Sequence, residues 1–179
     1  MGFYYLSSME WNGDLISFPD SKGRLFDFFI QDKSDGLFLQ YTKPKGIAQE
    51  NFSVERMKNA DYLPAVTGIP IFSVRAKKIL EMRIPGKINF YECVIDCKGN
   101  DNIFFMGKVN DYLPLISQSE SLFRKLSDNR DVIFKPFFDY KEPFFIARDN
   151  TYRNYLVVSE EFVKICKEEN IRMIDFLSC

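Results

Sequence analysis

Histidine is absent from the 179 residues of this chain, and that absence removes more chemistry than any other feature of its composition. Without imidazole there is no Ser-His-Asp triad, no Cys-His pair, no histidine metal ligand and no general base of that kind near neutral pH. Also missing are a lysine-bearing phosphate loop and a dinucleotide fingerprint behind a strand, which speaks against nucleotide binding by a known loop. Runs of lysine or arginine are lacking. Lys+Arg 24 against Asp+Glu 25 leaves a net charge of -1 and a pI ≈ 5.6, which speaks against a nucleic-acid backbone as the main partner. No window approaches the roughly eighteen apolar residues of a membrane span. The first eleven residues hold neither the basic nor the apolar region of a secretion signal, so a soluble, cytoplasmic protein is expected. Gly2 invites a lipidation reading, but Leu6 stands where that motif wants serine or threonine.

Cysteine is sparse and poorly spaced. Cys93, Cys97, Cys166 and Cys179 lack the paired two-residue spacing of a zinc site. Four apart on one face of a strand, Cys93 and Cys97 would stand about 13 Å from each other, beyond disulfide reach. All four read as reduced thiols, most of them core filler, with Cys179 a free terminal thiol. What the chain does have is apolar mass: 46% hydrophobic and 16% aromatic residues, with 19 phenylalanines against one tryptophan. A chain of this length can bury roughly 70% of its unfolded surface, so a folded, phenylalanine-rich core needs no staples.

The stretch from 154 to 176 organises the rest. Tyr155, Leu156, Val157 and Val158 form a short apolar run that reads as a buried strand. Ser159 is a preferred N-cap, Glu160 and Glu161 put negative charge in the first turn, and Val158 and Val163 have the spacing of a hydrophobic staple. A helix should start at Glu160, show Phe162, Ile165 and Cys166 on one face, and stop at Asn170. A last strand should follow over 172–177. The same design appears over 71–90, with Ser73 at the cap. One offset of 86 residues pairs Ser73 with Ser159, Ala76 with Phe162, Ile79 with Ile165 and Phe90 with Phe176. That pattern suggests an internal duplication, against a chance match of two generic strand and helix units.

The first forty residues read as an antiparallel meander of strands over 3–6, 15–18, 25–30 and 37–41. Turn material at 12–14, 19–23 and 33–36 separates them. The polar segment 43–59 crosses to the second half and would be the seam between a β-rich portion, 1–60, and an α+β portion, 61–179, of one compact domain. Further on, 90–97 and 102–110 should form a hairpin across 98–101. A short helix is expected around Leu122, Phe123 and Leu126, then strands over 132–138 and 144–148. The string Asp-Tyr-Leu-Pro occurs at both 61–64 and 111–114, in different surroundings that make it read as coincidence. The fold class is α+β: mostly antiparallel sheet, with two capped helices packed on one side.

Few residues suggest a site. Asp96, Asp101 and Asp111 are close enough in sequence to imagine a carboxylate pair or a hard metal site, although turn and strand-end aspartates are ordinarily solvated. The segment 137–143 places Phe138, Asp139, Tyr140 and Glu142 between two strands, where a loop could present them to a partner. The competing reading makes its phenylalanines core residues at a strand end.

An ordered series of short motifs gives the second half a likeness. Ile69-Pro70-Ile71-Phe72-Ser73-Val74-Arg75 leads into a helix, Asn89-Phe90-Tyr91 follows as a strand, and residues 103–111 end a strand in aspartate. Phe145-Ile146-Ala147-Arg148 and Leu156-Val157-Val158-Ser159-Glu160-Glu161 complete it. From about Leu63 onward the chain resembles the bacterial immunity-protein families catalogued as immunity protein 43 and immunity protein 11. Those are small cytoplasmic antidotes to polymorphic toxins, and the first sixty residues take no part in the likeness. The resemblance implies a non-catalytic binding protein that neutralises a cognate toxin by steric occlusion, without cofactor or metal. A tight interface of that kind buries about 1,200 to 2,000 Å², and Phe138, Asp139, Tyr140 and Glu142 are its expected anchors. Two alternatives come from other classes: a structural or regulatory module that oligomerises through an exposed strand or aromatic patch, and a hydrolase working with carboxylates alone.

Overall fold

The computed structural model describes residues 2–7, 15–19, 22–127 and 131–179. Its two organising units are the ones marked by capping serines. In the first, β5 (Ile71–Phe72) leads into α3 (Val74–Arg83) and then β6 (Ile88–Cys97); in the second, β12 (Leu156–Ser159) leads into α4 (Glu160–Glu168) and then β13 (Asp175–Ser178). The Oγ of Ser73 accepts from Ala76 N at 3.1 Å and that of Ser159 from Phe162 N at 3.3 Å. Each cap thereby satisfies an amide that the first helical turn leaves without a partner. Asn170 stops α4 as expected, in the left-handed region with φ 49°, which asparagine tolerates better than most residues. The final strand begins later than expected, at Asp175, because Met173 takes φ 60° in a further turn.

The likeness between the units extends to topology. In each, the second strand lies parallel to the first with one antiparallel strand between them: β7 (Asn100–Val109) in the first unit and β1 (Phe3–Ser7) in the second. The inserted strands differ in origin. β7 follows β6 directly, through a turn in which Lys98 and Gly99 take φ 53° and 79°, the doubly left-handed form suited to the twist of a hairpin. β1 arrives from the other end of the sequence.

Around these units two sheets form. The six-stranded sheet runs β2 (Ile16–Ser17), β3 (Lys45–Ala48), β6, β7, β5, β4 (Tyr62–Leu63). The five-stranded one runs β13, β1, β12, β11 (Ile146–Asp149), β8 (Tyr112–Leu113). Their pairings are antiparallel except β3 with β6 and β8 with β11, so the chain is an α+β protein. The helices α3 and α4 share one core, in which Ala76, Leu80, Phe162 and Cys166 pack with Phe72, Ile146 and Val158.

The first sixty residues depart most from expectation. Residues 25–30 form no strand; α1 (Lys22–Phe29) takes up 25–29, burying Leu25, Phe28 and Phe29 at the three- and four-residue steps of a helix, and Ile30 lies in the turn that follows. The rings of Phe28 and Phe29 meet Tyr91 of β6 edge-on at 5.1 and 5.5 Å. The segment 37–41 holds a 3-10 turn, Leu37–Gln40, in place of a strand. Gly36 precedes it at φ 74°, where a Cβ would sit 2.5 Å from the Phe28 ring. The crossing segment 43–59 contains β3 and a third capped helix, α2 (Val54–Asn59), with Ser53 as its cap. The meander therefore does not form: β1 pairs with β12 and β13, β2 with β3, and β3 joins the sheet of the second half. Four α-helices are found among the described residues, where two capped helices and a short one around Leu122 were expected. The proposed turn at 12–14 lies outside the described residues.

Where β3 packs, space is short. A Cβ on Gly46 would stand 2.7 Å from Ile16 Cγ2, 2.8 Å from Ile95 Cδ1 and 2.9 Å from Phe18 Cε1. Gly46→Val is expected to lower the unfolding free energy by about 2 kcal/mol through overpacking, read as a lower urea midpoint at an unchanged m-value. A midpoint equal to the parent's would mean that the three side chains swing aside freely.

Asp61 joins the two units. It is fully buried, and its Oδ1 accepts from Ser73 Oγ at 2.7 Å, while Oδ2 accepts from Arg172 N at 2.9 Å, from Arg172 Nε at 3.0 Å and from Arg75 Nη1. Arg75 continues across to the end of α4, where Nη2 meets Glu169 O at 2.6 Å. Burial alone pushes the Asp61 carboxyl up, but donation by the Arg172 side chain and amide and by Ser73 outweighs it and holds the group below the usual carboxylate range.

Candidate functional site

One piece of the chain joins neither large sheet. Among the described residues, β9 (Leu122–Lys125) and β10 (Asp131–Lys135) pair only with each other, as an antiparallel ribbon. The helix expected around Leu122 is therefore a strand. All four residues of β9 are exposed, as are four of the five in β10. The ribbon's base is pinned by main-chain and serine contacts: Ser117 N to Phe137 O, Phe137 N to Ser121 Oγ and Asp139 N to Leu115 O, each at 2.9 Å. An isolated two-stranded ribbon is marginal in water, so this anchoring fixes where it projects.

The register sorts its side chains. Lys125 faces Asp131 and Phe123 faces Ile133 on one side, where the Phe123 ring also approaches Tyr152 at 6.3 Å. Arg124 faces Val132 on the other side. A register shift after Ile133 then sets Lys135 opposite Leu122, so the extra residue, Phe134, shares that side in the manner of a β-bulge. The outward side consequently carries Leu122, Arg124, Val132, Phe134 and Lys135. Phe134 is 71% and Leu122 57% exposed, unusual for large apolar groups beside one another.

The four residues anticipated as anchors lie at the foot of this ribbon, and the fold divides them. Phe138 is half-buried: its ring stacks on Phe3 at 5.5 Å and meets Tyr5 at 5.8 Å, among Leu115, Phe144 and Val157. Tyr140 is half-buried against Phe144, with ring centroids 6.0 Å apart. Asp139 and Glu142 are exposed, the first paired with Lys141. The ribbon's outward residues were missed, because the apolar run 132–134 reads as a strand without revealing that its outward side is left uncovered.

The three aspartates do not converge. Asp96 and Asp101 are cross-strand neighbours that share Lys45, at 3.5 and 3.0 Å, whereas Asp111 pairs with Lys87 at 2.9 Å. Among the described residues no group of three or more acids and cysteines could hold a metal ion. The repeated tetrapeptide does acquire a common setting. Its copies contain β4 and β8, one edge strand of each large sheet, and Tyr62 and Tyr112 both bear on the charge of Arg148.

Arg148 lies behind an open cleft of about 650 Å³ lined by Gly23, Phe26, Asp27, Val66, Thr67, Gly68 and Asn154. It is wholly buried and donates to Gly68 O at 2.9 Å and to Arg153 O at 3.0 Å. Burial pulls the guanidinium down to about 10, against the opposing influence of Tyr112 and Tyr62. No family model matches the chain, and no curated protein matches it either.

Proposed function

We propose that this chain is an antidote which binds a cognate bacterial toxin in the cytoplasm and blocks it sterically, without chemistry of its own. The observation that carries this reading is the projecting ribbon, whose outward side displays apolar groups that a solitary soluble domain has reason to cover. The ordered motifs of the second half, similar to those of immunity proteins, supply the class of partner. The test is growth of cells expressing the C-terminal domain of the adjacent large secreted or repeat-containing gene product, with and without this chain. Protection together with a co-purifying complex supports the reading. A harmless neighbour, or killing undiminished by the chain, overturns it for that pair.

The ribbon also favours a second reading, self-association, since no strand among the described residues pairs with either of its outer edges, which could then extend a sheet. Light scattering of the purified chain separates the two: a monomer at micromolar concentration supports the antidote, and a stable dimer supports the oligomerisation module.

A further inference from the structure

The outward side of the ribbon specifies its partner more narrowly than a generic protein surface. It presents three apolar side chains and two cations, Arg124 and Lys135, with no acid among the residues that share that side. Two nearby acids point or pair away from it: Asp131 faces Lys125 on the opposite side, and Asp139 pairs with Lys141. Neither Arg124 nor Lys135 has an ion-pair partner among the described residues, although the chain as a whole is slightly acidic. Arg124 stands between Leu122 and Val132, with the exposed Phe134 ring nearby. An arginine set among apolar groups is the composition of an interface hot spot, because excluding water strengthens its attraction to a carboxylate.

We propose that this side of the ribbon docks an acidic protein surface, with Arg124 pairing an aspartate or glutamate of the partner while Leu122, Val132 and Phe134 seal the pair from water. The inference rests on the antidote reading and gives the toxin's contacting surface a chemistry: a carboxylate within an apolar rim. Phosphate-bearing partners fit less well, since cations alone serve them and aliphatic groups such as Leu122 and Val132 add nothing to phosphate binding.

The experiment uses the neighbouring toxin domain, made inactive, as the calorimetric probe against the full chain. Arg124→Glu is expected to weaken binding roughly 100-fold and Phe134→Ser about 10-fold. Their melting temperatures should match the parent's because both sites are exposed. Lys78→Glu, on the exposed side of α3, is the control that keeps parental affinity. Recovery of Arg124→Glu binding by an acid-to-lysine change in the toxin would establish the pair. A parent that protects and binds, with Arg124→Glu binding equally well, overturns this inference and leaves the antidote standing. Failure of the parent to bind overturns both. Binding to RNA or to anionic vesicles that Arg124→Glu abolishes, with toxin binding intact, overturns the acidic-protein assignment in favour of phosphate.

Discussion

Asp61→Ala is expected to lower the unfolding free energy by about 3 kcal/mol, with a fall in melting temperature of roughly 6–12 °C for a chain of this size. The buried carboxylate takes donors from β5–α3 through Ser73 and Arg75, and from the turn behind α4 through Arg172. Its loss takes their shared acceptor from two guanidiniums and removes one tie between the two strand–helix–strand units, leaving the bond of Arg75 to Glu169 O and the common core. The figure sits at the low end for a broken buried pair because the side chains of Arg75 and Arg172 keep 42% and 43% of their surface exposed, where water screens them. Asp61→Asn keeps the shape and should lose less. Acid should mimic the substitution. The folded-state pKa lies below the unfolded one, near 3.9, so the stabilisation is complete at neutral pH and fades as pH falls through the carboxylate range. Calorimetric scans of parent and Asp61→Ala across that range should converge at low pH; parallel curves would remove the assigned role.

Arg148→Ala should cost a similar amount, about 3 kcal/mol, for a different reason. Arg148 heads the fully buried side chains by volume, so alanine leaves a void, and two carbonyls lose their donor. Against this, removing a desolvated cation that has no carboxylate partner among the described residues relieves a penalty. Arg148→Met separates these contributions, since it keeps most of the volume and discards the charge. It should lie between alanine and the parent in urea denaturation. A methionine variant more stable than the parent would mean that the bonds to Gly68 O and Arg153 O do not compensate for burying the charge.

What could be read in advance was local. Ser73 and Ser159 announced their helices because a capping hydroxyl acts on an amide three residues away, within the segment itself. The β6–β7 turn was equally self-contained. Residues 25–30 misled because a run of phenylalanine and isoleucine satisfies strand composition, while the three- and four-residue recurrence of Leu25, Phe28 and Phe29 was outweighed by it. The meander failed for a non-local reason: nothing in residues 3–7 indicates that their partners lie near residues 158 and 177. At the candidate site, the base of the ribbon was legible as an aromatic loop. Its exposed side was not, since exposure is decided by which elements fail to pack there.

The placement of β1 between β12 and β13 has a consequence for biosynthesis. A ribosome that has delivered the first 150 residues has made β1 but neither of the strands that flank it. The six-stranded sheet, whose strands all precede residue 110, can close while translation continues; the five-stranded one must wait. Non-local pairing of this kind slows folding, so a nascent chain carries an open-edged strand until the last stretch emerges. A message cut short in that stretch would yield a half-assembled protein for proteolysis to clear.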